Sequence, residues 1–115
     1  MKKLFIAAFI FVSTFTTNSF AEVKMGIILG FTGPIESLTP AMAASAELAF
    51  KEASDSGSLL GGKKIEVVRA DSTCVDSAAA TAAAEGVISQ GVAAIMGADC
   101  SGVTGAIASN VAVPN

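Results

Sequence analysis

The chain has 115 residues, 52% of them hydrophobic, and a formal charge of −3. Histidine, tryptophan and tyrosine are absent, and there are two cysteines. An acidic chain without a basic cluster argues against nucleic acid or anionic membrane as partners. Missing histidine removes the commonest acid–base catalyst and metal ligand.

The chain opens with "MKKLFIAAFIFVSTFTTNSFAE". Lys2 and Lys3 precede an apolar run, Leu4–Val12, and small and polar residues lead to Ser19-Phe20-Ala21. These are the three parts of a secretory signal peptide. The competing reading is a membrane anchor, but a run of about nine residues is too short to span ~30 Å of hydrocarbon as a helix. The expectation is a signal peptide over residues 1–21, cleaved after Ala21. With no cysteine beside the cut, the exported product is expected to be soluble rather than lipid-anchored.

Residues 22–115 alternate between strand and helix patterns. Lys24–Leu29 is a short apolar run bounded by glycine, which suits a buried strand. The loop Phe31–Pro40 follows, and Ala41–Ser56 is expected to be helical. Met42, Ala46, Ala49, Phe50 and Ala53 share one face of that helix, with Glu47, Lys51, Glu52 and Asp55 elsewhere. Gly57 supplies a left-handed stop.

Lys64–Ala70 is a second strand, rich in β-branched residues. Asp76 or Ser77 can cap a helix reaching about Gln90, with Ala80, Ala84, Val87 and Ile88 inward. Val92–Met96 is a third strand. A third helix is expected from Ser101 to about Asn110, and Val111–Asn115 then approaches a fourth strand.

This order predicts an α/β fold: a parallel sheet with flanking helices and right-handed crossovers, containing three βα units. Three strands would leave one face poorly covered, so the expectation is part of a longer domain.

Ligands of open parallel sheets bind outside the carboxyl ends of the strands. Three loops qualify: Phe31–Pro40, Asp71–Asp76 and Gly97–Ser101. The first contains Gly30-Phe31-Thr32-Gly33-Pro34, whose spacing matches neither a dinucleotide-binding turn nor a phosphate loop. Its glycines serve at least a tight turn.

Two cysteines in an exported chain point to one disulfide. Joining Cys74 to Cys100 would stabilise the fold by about 3–4 kcal/mol through the unfolded state. A metal site would need more ligands, and a catalytic thiol would need a basic neighbour that the sequence does not place nearby. Ser101 is read as the N-cap of the third helix, able either to satisfy its own helix or to hold a carboxylate with the amides of Gly102 and Val103. Thr39 and Thr104 could neighbour the site or be solvated. Asp71 and Asp99 each end a strand, as ligand groups or as turn caps.

The stretch "MGIILGFTGPIESLTPAMAASAELAFKEASDSGSLLGGKKIEVVRADSTC", continued by "AAIMGADCSGVTGAIASNVAVPN", resembles the N-terminal lobe of type I periplasmic binding proteins. Within them it is most similar to the branched-chain amino acid and amide-binding members. Thr32-Gly33-Pro34, Leu60-Gly61-Gly62-Lys63 and Cys100-Ser101 carry the likeness, which covers residues 23–115.

The resemblance implies two lobes that close on a small ligand and deliver it to an ABC permease in the inner membrane. It implies the Cys74–Cys100 disulfide, a ligand-carboxylate contact at Ser101, and pocket-lining roles for Asp99 and Cys100. Leu38 stands where the family often has an aromatic residue against the ligand. The other ligand contacts of the family fall beyond Asn115, so the isolated chain is expected to show no measurable affinity.

The resulting expectation is a periplasmic solute-binding component for amino acids, branched-chain ones among them, or small amides. It needs no cofactor or metal and performs no bond chemistry. The alternatives are an exported flavodoxin-like or nucleotide-binding enzyme and a ligand-sensing receptor domain.

Overall fold

The computed structural model describes residues 22–114. The expected signal peptide lies outside these residues. Three strands form one sheet: β1 (Glu22–Leu29), β2 (Lys64–Asp71) and β3 (Ala94–Gly97). Three α-helices alternate with them: α1 (Thr39–Asp55), α2 (Ser77–Ser89) and α3 (Ser101–Ile107).

The sheet is parallel throughout, in the order β2-β1-β3. The register aligns Leu29 with Asp71 and Ile28 with Gly97, so the strand ends arrive together at one edge. β1 is central, and its last residues are the most deeply buried apolar positions of the sheet. Ile27 and Ile28 are wholly buried, and Leu29 nearly so.

Successive side chains of a strand point to opposite faces. Ile28 therefore meets Ala80, Ala84 and Val87 of α2 and Val103 and Ile107 of α3 on one face. Ile27 and Leu29 meet Ala43 of α1 on the other, with Phe50, Val67 and Met96 packed around them. Asp76 caps α2 through its carboxylate, which accepts from the Ala78 and Ala79 amides. The expected α2 stripe is the observed one.

The inward face of α1 differs from the expected stripe. Thr39, Ala43 and Ser54 are buried, whereas Met42 is 43% exposed. Two hydroxyls set the roll of the helix. Thr39 Oγ1 donates to Gly30 O, and Ser54 Oγ accepts from the Ile65 amide while donating to Phe50 O. With both hydroxyls turned to the sheet, Met42 rotates away.

The chain end also departs from expectation. Val111–Pro114 does not approach a strand, because a wider helical turn, Ala108–Ala112, continues from α3. Val111 extends the apolar stripe of Val103 and Ile107 at four-residue spacing and is buried with them. Among the described residues no helix is long and apolar enough to cross a membrane.

Candidate ligand-binding loop edge

The topology places a crevice before any side chain is considered. β1 continues into α1 on one face, while β3 continues into α3 on the opposite face. The loops after β1 and β3 therefore diverge, and the space between them is the switch point of the sheet, where ligands of such folds bind.

The three loops at this edge are joined by a disulfide and two carboxylates. Cys74 and Cys100 are bonded, with S–S 2.00 Å and Cα–Cα 5.3 Å. Asp71 holds the first loop to the second: Thr32 Oγ1 donates to its Oδ2 at 2.6 Å, and the Thr73 amide donates to its Oδ1 at 2.8 Å. Asp99 reaches from the third loop, and its Oδ2 accepts from the Gly30 amide at 2.9 Å. Its Oδ1 also receives a longer contact, 3.4 Å, from Ser72 Oγ.

Burial raises the Asp71 carboxyl, but the Thr32 hydroxyl and the Thr73 and Thr32 amides together outweigh it. The net effect holds this carboxyl below the ordinary aspartate value. A carboxylate that accepts several hydrogen bonds is a fixed acceptor.

Close backbone approach completes the edge. A β-carbon on Gly33, at φ +95°, would lie 2.4 Å from Thr73 O. On Gly97, at φ +125°, it would lie 1.9 Å from Ile28 O. Thr73 and Cys74 both have positive φ, 57° and 69°. Such conformations are unfavourable by roughly 1–3 kcal/mol each for residues other than glycine. The Asp71 bond to the Thr73 amide and the disulfide at Cys74 hold this pair in place.

Ser101 is the first residue of α3 rather than its cap. Cys100 takes the cap position, with extended φ and ψ of −117° and 131° and no side-chain cap bond, because its sulfur is in the disulfide. Ser101 is exposed. Thr104 Oγ1 donates to Cys100 O. Leu38, 61% exposed, lies in the turn that leads into α1. Cys100, Asp99 and Ser101 thus share the third loop, and the carboxylate of Asp99 is directed at the backbone of the first.

Three hydroxyls contribute to this edge: Thr39, which the sequence offers as a neighbour of the site, and Ser72 and Thr32, whose contacts it does not indicate. Thr39 and Ser72 are wholly buried hydroxyls, and Thr32 bonds Asp71. The Ala-Asp phrase at the ends of β2 and β3 is the signal that could have found Ser72 and Thr32.

A separate recess of about 440 Å³ opens between α1 and the first half of β2, floored by Phe50, Ile65 and Val67. It is remote from the strand ends. Its charged rim is internally paired: Asp55 with Lys51 and Lys64, and Glu47 with Arg69. The Arg69 guanidinium holds the Glu47 carboxyl below its usual range and lies 5.6 Å from the Phe31 ring centre. Among the described residues no group of three histidine, cysteine, aspartate or glutamate side chains could hold a metal ion.

An open parallel α/β lobe with its loops cross-linked at the carboxyl ends of its strands is an architecture in which ligands bind at the switch point. Residues 22–114 match the model of the family described as periplasmic binding protein. The chain belongs to that family, whose role is solute binding and whose ligands are small molecules. A search of curated proteins returned no match.

Proposed function

We propose that the chain serves an uptake system as the solute-binding component for amino acids, branched-chain ones among them, or small amides. It works from the periplasm, after removal of residues 1–21, and passes its ligand to an ABC permease in the inner membrane. The reaction is binding and lobe closure without bond chemistry.

The observation that carries this reading is the rigid loop edge. A disulfide, two bridging carboxylates and two glycine contacts fix three loops around one crevice. Fixed loops lose little freedom when a small ligand arrives, which favours binding. In this reading Ser101 donates its exposed hydroxyl to a ligand carboxylate or amide oxygen. Cys100 and the backbone of Asp99 line the crevice beside it, and Leu38 closes one side.

The test is a ligand panel on a two-lobed protein of this family that carries this chain as its N-terminal lobe, read by calorimetry and thermal shift. L-leucine, L-valine or acetamide should raise the melting temperature. S101A should weaken that response by about tenfold, the value of one hydrogen bond. A response to nucleotides or phosphate in place of amino acids and amides would overturn the reading.

A further inference from the structure

Among the described residues, the carboxylate of Asp99 makes a hydrogen bond across the switch point. Loops leaving β1 and β3 part to opposite faces, yet Asp99 Oδ2 accepts from the Gly30 amide across that parting, 69 residues away in sequence. Gly30 is buried and is held on its other side too, where its carbonyl accepts from the wholly buried Thr39 hydroxyl. A β-carbon there would come within 3.2 Å of Cys74 Cβ. The Gly30 peptide is therefore tightly surrounded and bonded on both sides, and a group bonded to it takes its position from it.

Asp99 is also adjacent to Cys100, which caps α3 and carries the disulfide to the second loop. Its other oxygen faces the buried Ser72 hydroxyl of that same second loop. The disulfide joins the second and third loops only. The hydrogen bond from the third loop to the first is made by Asp99.

We propose that Asp99 is a positioning residue for the ligand site: it registers the third loop, and with it Ser101, against Gly30 of the first. This rests on the binding reading above for its consequence, but not for its geometry. A carboxylate suits the task because it accepts on both oxygens and bonds an amide more strongly than a neutral acceptor does.

The test begins with nuclear magnetic resonance of the chain itself. In the wild type, a scalar coupling across the hydrogen bond should link the Gly30 amide nitrogen to the Asp99 carboxyl carbon. In D99A the Gly30 amide should exchange with solvent about 10- to 100-fold faster, and the Gly30–Gly33 signals should move while those of Gly26 and Val87 stay. D99N keeps an oxygen acceptor and should recover most of the protection. Absent coupling in the wild type overturns the proposal even if D99A fails to fold. So does D99N behaving like D99A, or Gly30–Gly33 signals indifferent to D99A.

A second arm measures L-leucine binding by the two-lobed protein that carries this chain, where D99A should weaken affinity at least tenfold and D99N far less. Unchanged affinity in D99A would overturn the positioning role. If the wild type ignores L-leucine, the binding reading fails alone, and the resonance measurements still decide whether the latch exists.

Discussion

Replacing both cysteines, C74S/C100S, tests how the loop edge is held. The bond spans a sequence separation of 26. Closing a loop of that length removes about 12 cal/mol/K of entropy from the unfolded chain, or about 3.5 kcal/mol at 25 °C. For a domain of this size that corresponds to a fall in melting temperature of roughly 15–25 °C. Since typical stabilities are only about 5–15 kcal/mol, the variant is expected to remain folded but marginal. Urea unfolding of the two proteins, followed by far-ultraviolet circular dichroism, measures the difference. The midpoint should drop by about 2–3 M, with a somewhat steeper slope because the unlinked unfolded chain exposes more surface. The two carboxylate bridges do not depend on the sulfurs, so the folded variant should keep the Gly30 amide protected relative to its own global stability. A loss below about 1 kcal/mol would refute the chain-entropy account. Loss of the Gly30 protection without global unfolding would show that the sulfurs, not Asp99, set the first loop.

G97A should abolish folding or destabilise by more than about 3 kcal/mol, since its new carbon would sit 1.9 Å from Ile28 O; a soluble variant with native melting behaviour would contradict the strand packing. G86A, in α2 with nothing within 4 Å, should instead stabilise by about 0.5–1 kcal/mol in the same assay. S54A removes the acceptor of the Ile65 amide and should destabilise by about 1–3 kcal/mol in urea. The Asp71 carboxyl lies low in the folded state, so its contribution is complete above the unfolded value near about 3.9 and fades as pH falls through the folded value. Stability measured against pH should therefore decline on the acid side, and D71N should be weaker at neutral pH with a shallower decline.

The sheet and α2 were legible because their signals are local and periodic. A short apolar run bounded by glycine marks β1, β-branched residues mark β2, and Ala80, Ala84 and Val87 repeat at helical spacing. The roll of α1 was not legible. Its alanines allow several apolar faces, and the choice falls to Thr39 and Ser54, whose partners are Gly30, just after β1, and Ile65 in β2. Hydrophobic patterning scores those hydroxyls as outward positions. Likewise the β-branched tail Val111–Pro114 looked strand-like until the position of Val111 beside Ile107 was known.

The two Ala-Asp phrases show the same limit at the candidate site. Each aspartate follows a strand, so sequence alone offers two roles, turn cap or ligand group. Both in fact bridge separate loops, and they differ in which loops they join. Asp71 binds its own loop at Thr73 and the first loop at Thr32, so it links neighbours in the sheet. Asp99 binds the first loop from β3, across the point where the chain changes direction. That difference follows from α1 and α3 leaving to opposite faces of the sheet, which no local pattern encodes. With β1 in the centre, a carboxylate on either neighbour meets the loop after β1, and the first loop becomes the hub to which both flanking loops are tied. The ligand reading then gains a physical basis that the motif alone lacks. Ser101 is useful as a contact only if its distance from the first loop is fixed, and Asp99, two residues earlier, is the group placed to fix it.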